Sequence, residues 1–199
     1  MRVAALAIVF ALASSTASAD PFSDLTKGGD ACFRRNYDAA HLRQSPRQQF
    51  TSMVVWIAAV PRLGIGNVGL AVTRRGDPDA LFLSGSCEWG DYKPPIDWMP
   101  TFKKRGGAAC ITSAVPDVFE SSSAEEGGTV MFDPARDGRS VVVHLDEQQV
   151  MVRRANRAKK IELKLGADDL VFLLRRTGLK DCEAVKEAVT TPEPGVRQR

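Results

Sequence analysis

Four cysteines carry the most definite chemistry in this chain of 199 residues. Paired thiols form disulfides in an oxidising compartment, whereas cytosolic cysteines more often bind metal or react. No two of these cysteines have the C-x-x-C spacing of a structural zinc site, so disulfides are favoured over zinc ligation or free thiols. Among the three possible pairings we favour Cys87–Cys110, which staples a loop, and Cys32–Cys182, which ties the chain's beginning to its end.

The two histidines are the candidates for acid–base chemistry. His41 follows Asp38 at helical i+3 spacing, so the pair could act as a general base or, more commonly, form a hydrogen bond that orders a turn. His144 lies in a valine-rich strand, on the face opposite Val141 and Val143. A catalytic zinc site usually takes three protein ligands, so we expect no metal.

A glycine-rich segment, Gly64-Ile65-Gly66-Asn67-Val68-Gly69, matches the dinucleotide-binding pattern G-x-G-x-x-G. That chemistry needs a helix after the glycines, because the helix N-terminus binds the pyrophosphate. Residues 70–73 are instead a short apolar run typical of a strand. We therefore interpret the glycines as part of a hairpin and expect no cofactor.

Adjacent carboxylates occur as Glu125-Glu126, Asp146-Glu147 and Asp168-Asp169. Two acids that face each other across a cleft can catalyse hydrolysis, but spacing along the chain does not show which acids meet. The chain contains no G-x-S-x-G nucleophile elbow. The leading hypothesis is a protein that acts by binding, without catalysis. The alternative is a periplasmic hydrolase with acids or histidines at the sheet ends.

The segment between Cys87 and Cys110 is the candidate recognition surface. It contains three prolines and four aromatic residues that we assign to ligand binding, Trp89, Tyr92, Trp98 and Phe102. Most loops are short and polar. A long loop rich in aromatic residues either packs on the core as a lid or is exposed for recognition, and both interpretations stay open.

Basic residues cluster between two apolar runs, at Arg153, Arg154, Arg157, Lys159 and Lys160. Such a cluster could bind an anionic envelope component, but a solvated turn that discourages edge-to-edge strand pairing is more common. The net charge of +3 is too small to indicate nucleic acid as the main partner. We expect an envelope protein or a small ligand as the partner.

Short apolar runs separated by turn residues define the scaffold that must position these groups. The runs are residues 53–60, 68–73, 80–83, 108–111, 130–132, 141–145, 150–152, 161–165 and 170–174. Turn residues such as Asp137-Gly138 separate them. About nine strands with short turns predict an all-β fold, either an antiparallel β-sandwich or a small barrel. We expect residues 20–189 to form this single domain.

Helical signals are confined to the two ends. Residues 37–44 are predicted to form a short helix, and residues 180–189 another with Asp181 as its cap and Cys182 in its first turn. Residues 190–199 contain two prolines and no apolar period, which predicts a disordered tail.

Residues 1–19 have the three parts of a secretion signal. Arg2 is the positive charge, residues 3–12 are an uncharged apolar stretch, and Ala17-Ser18-Ala19 is the small-x-small cleavage pattern. We predict cleavage after Ala19 and a periplasmic or secreted protein. The stretch is shorter than the roughly 20 apolar residues of a membrane span, so no stable membrane insertion is expected. An outer-membrane barrel needs strands of about ten residues, longer than most runs here.

Two short segments carry a resemblance to other proteins. Tyr37-Asp38-Ala39-Ala40-His41-Leu42, followed by Pro46 and Gln48, and the later Cys87-Glu88-Trp89 resemble a family of small exported proteobacterial proteins of unknown function. The resemblance implies an envelope protein of a Gram-negative cell, with no activity and no catalytic residue to transfer.

Overall fold

A computed structural model of the chain describes residues 21–27, 29–60, 65–114, 127–153 and 156–191. The predicted signal peptide, the Glu125-Glu126 pair and the predicted tail beyond residue 191 lie outside these residues. Thr190, placed in the tail by the sequence, instead ends a helix.

In the described part of the chain, ten antiparallel strands form one sheet, and eight of them close into a barrel. The strands are β1 (Asp30–Asn36), β2 (Phe50–Val60), β3 (Ile65–Arg74), β4 (Asp77–Gly90), β5 (Gly107–Ser113), β6 (Gly128–Pro134), β7 (Ser140–Leu145), β8 (Gln148–Arg153), β9 (Asn156–Lys164) and β10 (Val171–Thr177). The order around the barrel is β3-β2-β1-β10-β7-β6-β5-β4, and β4 pairs back with β3. The hairpin of β8 and β9 adds to the edge of β4 at Leu81 and Phe82. The all-β prediction is confirmed, as a barrel.

Alternating apolar side chains fill the barrel interior. On β7, Val141 and Val143 point inward and are fully buried, as the period-two pattern predicts. Helix α1 (Pro21–Thr26) inserts Phe22 and Leu25 into the same core at one end of the barrel. Gly66 permits this, because a Cβ there would lie 2.6 Å from the ring of Phe22. The interior is therefore a packed core in which side chains occupy the space that eight strands enclose.

A second apolar cluster lies on the outer wall, under helix α3 (Glu183–Thr190). Val185 and Val189 of α3 pack against Trp56 and Phe82 of the barrel. Gly69 allows the close approach, since a Cβ there would lie 2.8 Å from each of the two valines. The glycines of the G-x-G-x-x-G pattern that are described thus lie in strand β3, as the hairpin interpretation predicts, and Gly64 lies outside the described residues.

Both disulfides form with the pairing favoured from the sequence. Cys32–Cys182 joins β1 to a 3-10 turn (Leu179–Cys182) that leads into α3, and it fixes the end of the chain to the barrel wall. Cys87–Cys110 joins directly opposed residues of β4 and β5 and is buried in the barrel core. The structure describes no free cysteine.

The helix predictions are right in position and differ in one cap. Helix α2 (Ala39–Gln44) begins after Asp38, whose carboxylate accepts a hydrogen bond from the backbone N–H of His41 at 2.7 Å. The prediction that Asp181 caps the last helix is wrong. Cys182 occupies the N-cap position, and the carboxylate of Asp181 instead accepts hydrogen bonds from Thr177 and Arg34.

None of the helices in the described residues is long and apolar enough to cross a membrane.

Candidate functional site

The loop that joins β4 to β5, residues 91–106, runs along the outside of the barrel and is here called the strap. Its two ends are joined at a neck. The backbone N–H of Gly106 donates to the carbonyl of Tyr92 at 2.9 Å. Arg105 donates two hydrogen bonds of 2.6 Å to the carboxylate of Asp91, and these bonds lower the pKa of Asp91. The strap is thus a loop whose two ends are hydrogen-bonded to each other next to the sheet.

Buried apolar side chains fix the strap to the wall. Met99 and Phe102 are fully buried and pack with Ile96 against Met131, which points outward from β6. Gly107, which follows the strap, has a positive φ of 147°, and a Cβ there would lie 2.7 Å from the Phe102 ring. The glycine therefore leaves the space that the Phe102 ring occupies.

His144 of β7 lies under the strap. Its Nδ1 is 3.2 Å from Oγ1 of Thr101, and its ring meets the edge of Phe102 with centroids 5.1 Å apart. Burial lowers the pKa of His144, a shift opposed by Asp133 and reinforced by Lys104. The ring is therefore mainly neutral near pH 7 and serves as part of the surface on which the strap packs.

The tip of the strap forms one wall of a cleft of about 350 Å³, the size of a small-molecule site. The opposite wall is the turn between β7 and β8, with Leu145 and Leu170. Trp98 lines the cleft and is 48% exposed. Its ring meets the edge of Tyr92, with centroids 6.2 Å apart. The indole of Trp98 is thus exposed at the cleft, whereas Ile96 and Met99, which flank Asp97 and Trp98 in the chain, are buried.

Three carboxylates line this cleft, and no basic residue is among the described residues that line it. Asp97 lies on the strap tip beside Trp98, whereas Asp146 and Glu147 lie on the facing turn. Neither Asp97 nor Glu147 forms an ion pair with a described residue. The described lining of the cleft therefore carries negative charge without a basic residue to offset it.

Asp146 is the positioned member of the three. Its carboxylate accepts hydrogen bonds from the backbone N–H groups of Thr129 at 2.8 Å and Gln148 at 3.1 Å, and from the side chain of Gln149 at 2.6 Å. Burial nevertheless raises its pKa, because the desolvation outweighs these bonds. The carboxylate is held rigidly and fixes the shape of the turn.

The structure separates the four aromatic residues that the sequence assigns to ligand binding. Trp98 lines the cleft and Tyr92 supports it from behind, half-buried. Phe102 is buried between the rest of the strap and the barrel wall. Trp89 lies at the end of β4, where its ring meets Phe22 of helix α1, here called the plug helix, with centroids 6.1 Å apart. The loop therefore packs on the barrel wall at Met99 and Phe102 and exposes Trp98 at its tip, where recognition stays a prediction.

The described hydrogen bonds of the two histidine rings are made to uncharged side chains. The ring of His41 stacks on Tyr37, and its Nε2 is 3.0 Å from Oε1 of Gln48. Within the described residues, no carboxylate forms a hydrogen bond with the ring of His41 or of His144. The histidines therefore supply no acid–base pair for the hydrolase alternative, and the acids that the structure brings together are Asp97, Asp146 and Glu147 of the cleft. The acid Asp169 is instead buried, accepting hydrogen bonds from the backbone N–H groups before and within β2.

The members of the basic cluster have different surroundings. Arg153 donates to Asp77 and Asp79 and holds β8 against β4, and these bonds, with those from Arg74, lower the pKa of Asp77 to about 2. Lys159 is exposed on β9, and Arg154 lies outside the described residues. In the part of the chain that the structure describes, no group of three or more potential ligands could hold a metal ion.

The chain matches no protein-family model, no curated protein and no solved structure. The fold and the site define a disulfide-linked, eight-stranded antiparallel barrel with an acidic cleft on its outer wall. The function is therefore argued from the chemistry of this cleft.

Proposed function

We propose that this protein is an exported binding protein whose recognition site is the cleft at the strap tip. The observation that carries the proposal is the exposure of Trp98. An indole with 48% of its surface in water forgoes a large part of its possible burial energy. Tryptophan is also the residue type most enriched at energetic centres of binding sites. A ligand that covers Trp98 would recover this energy.

The anchoring of the strap supports the same proposal. Phe102 and Met99 are buried on one side of the strap, and the neck is closed by Asp91 and Arg105. Residues held in this way lose little conformational freedom when a ligand binds, so more of the contact energy appears as affinity. A preformed cleft with one exposed indole is typical of a binding site rather than of a mobile surface loop.

The cellular location is part of the proposal. Two disulfides fit a protein of an oxidising compartment, and residues 1–19 have the pattern of a secretion signal. We therefore expect export to the periplasm or beyond, with a mature chain that begins at Asp20. The intact mass of the protein recovered from the envelope fraction tests this, and retention of Met1 would contradict it.

A ligand screen tests the site itself. Thermal melting of the wild type is measured against a panel of cationic, anionic, neutral polar and apolar small molecules, and every stabilising compound is then measured with Trp98→Ala. We expect the stabilisation to disappear in this variant. Leu179→Ala is the matched control, because Leu179 is similarly exposed, at 52%, but lies on the turn that precedes α3. A stabilisation that survives in Trp98→Ala would place the binding site elsewhere.

A further inference from the structure

We infer that the cleft binds a linear polyammonium ion, an alkyl chain that carries two or more positive ammonium groups. This inference rests on the proposed function, since it assigns a ligand class to the same cleft. Three features of the cleft carry it: the apolar walls, the placement of the carboxylates on both walls, and the size of the space.

The walls are suited to methylene groups. Of the apolar lining residues, Met99 and Leu145 are fully buried. Apolar surface is presented by the exposed Trp98 and Pro100 of the strap and by the half-buried Leu170. An alkyl segment that lies between these side chains is removed from water, at about 25 cal/mol per Å² of apolar surface buried. A compact inorganic cation would leave these apolar walls uncovered.

The carboxylates select for positive charge at more than one point. Asp97 on the strap tip and Glu147 on the facing turn are both exposed and without an ion pair among the described residues. An anion would be repelled by them, and a neutral ligand that covered the cleft would desolvate them without compensation. Ammonium groups at the two ends of a short alkyl chain can reach carboxylates on both walls, while Trp98 adds a cation–π contribution to one of them.

The geometry disfavours two other positively charged ligands. A quaternary ammonium ion is normally enclosed by several aromatic rings. The described residues that line the cleft include one aromatic side chain, Trp98. A divalent metal needs several oxygen ligands that converge on one point, and the described acids form no such group. A folded basic protein would need an interface of about 20–30 residues a side, whereas ten described residues line this cleft.

Isothermal titration calorimetry with spermidine tests the inference on the mature, disulfide-bonded protein. We expect saturable binding at one site, weakened about tenfold by Asp97→Asn or by Glu147→Gln, and lost in Trp98→Ala. Affinity should fall as salt rises from 20 to 300 mM, because the charges are at the surface. Asp24→Asn, which removes an exposed carboxylate on α1, is the matched control and should bind as the wild type does.

Ligands of matched length separate charge from shape. 1,5-diaminopentane should bind, whereas 1,5-pentanediol and pentylamine should bind much more weakly or not at all. Absence of spermidine binding at millimolar concentration would overturn the inference, as would equal binding of the diol. Tighter binding of a lysine-rich peptide than of spermidine would reassign the cleft to a basic protein segment.

A second measurement needs no ligand. The fluorescence of Trp98 is taken as the difference between the wild type and Trp98→Phe. Its quenching by caesium and by iodide is divided by the quenching of free tryptophan by the same ion. This relative quenching should be larger for caesium, because the carboxylates of the cleft attract cations. The Asp97→Asn, Glu147→Gln double variant should reduce this preference. If the two ions quench equally relative to free tryptophan, the negative charge around Trp98 is refuted. Binding of a neutral or anionic compound at Trp98 would overturn the polyammonium assignment alone and leave the proposed binding function standing.

Discussion

The strap should respond very differently to the loss of two neighbouring aromatic side chains. Phe102 is 1% exposed and packs against the barrel wall, whereas Trp98 is 48% exposed at the cleft. Truncation of a buried phenylalanine to alanine costs about 3–5 kcal/mol, because transfer energy is lost and a cavity remains. Trp98 keeps about half of its surface in water already, so Trp98→Ala should cost about 1–2 kcal/mol by the same reasoning.

Urea unfolding of Phe102→Ala, Trp98→Ala and the wild type measures this difference as a free energy, and thermal melting measures it as a melting temperature. For a domain of this size, a melting temperature falls by about 3 °C for each kcal/mol. Phe102→Ala should therefore lower it by about 10 °C or more, and Trp98→Ala by about 5 °C or less. Phe102→Leu is a useful intermediate, since a change that nearly conserves volume usually costs under about 1.5 kcal/mol.

The two variants should also differ in how the strap moves. Phe102→Ala removes a buried side chain that holds the strap on the barrel wall. Amide hydrogen exchange at Met99 and at position 102 should therefore become faster, while the barrel strands stay protected. Trp98→Ala should leave this exchange unchanged. If Trp98→Ala destabilises the protein as much as Phe102→Ala does, the tip is a packed lid and the cleft loses its main support as a binding site.

Three further predictions concern the rest of the fold. Replacing both cysteines of Cys32–Cys182 by alanine should cost about 5 kcal/mol in urea unfolding, against about 3 kcal/mol for Cys87–Cys110, because the sequence separations are 150 and 23 residues; equal losses would contradict the chain-entropy estimate. Burial lowers the pKa of His144, so the unfolded chain takes up its proton first. Stability should then fall as the pH drops through about 6.5 and below, and His144→Gln should remove this component; an identical pH profile in the variant would assign the effect to other groups. Gly69→Ala should cost about 1–3 kcal/mol, since its Cβ would meet α3 at 2.8 Å, whereas Gly166→Ala, with nothing within 4 Å, should be neutral; a neutral Gly69→Ala would show that α3 is not tightly packed.

The strand positions could be predicted because local patterns report them. Each of the nine apolar runs overlaps one of the strands β2 to β10. Strand β1 (Asp30–Asn36) has no such pattern, since its apolar residues are limited to Ala31, Cys32 and Phe33 among charged and polar neighbours. It is a strand because it pairs with β2 on one side and with β10 on the other. Long-range pairing thus overrides a weak local signal.

The choice between a sandwich and a barrel required the tertiary structure. Closure depends on β10 lying between β1 and β7 and on β4 pairing with both β3 and β5. These contacts join residues distant in the chain, and the alternation of apolar residues is the same in both architectures. The plug helix α1 was likewise not predicted, because its burial depends on the open barrel end that Phe22 fills.

The sequence by itself determined the positions of the strands β2 to β10 and the unusual content of the strap, because these follow from composition and from spacing between near neighbours. It also favoured, among three possible pairings, the disulfide pairing that forms. Only the tertiary structure decided which aromatic residue of the strap is exposed, and that Asp97 faces Asp146 and Glu147 across a cleft. The physical reason is that the site combines side chains about fifty residues apart. Their proximity depends on how the strap packs across β6 and β7, and no local pattern encodes that placement.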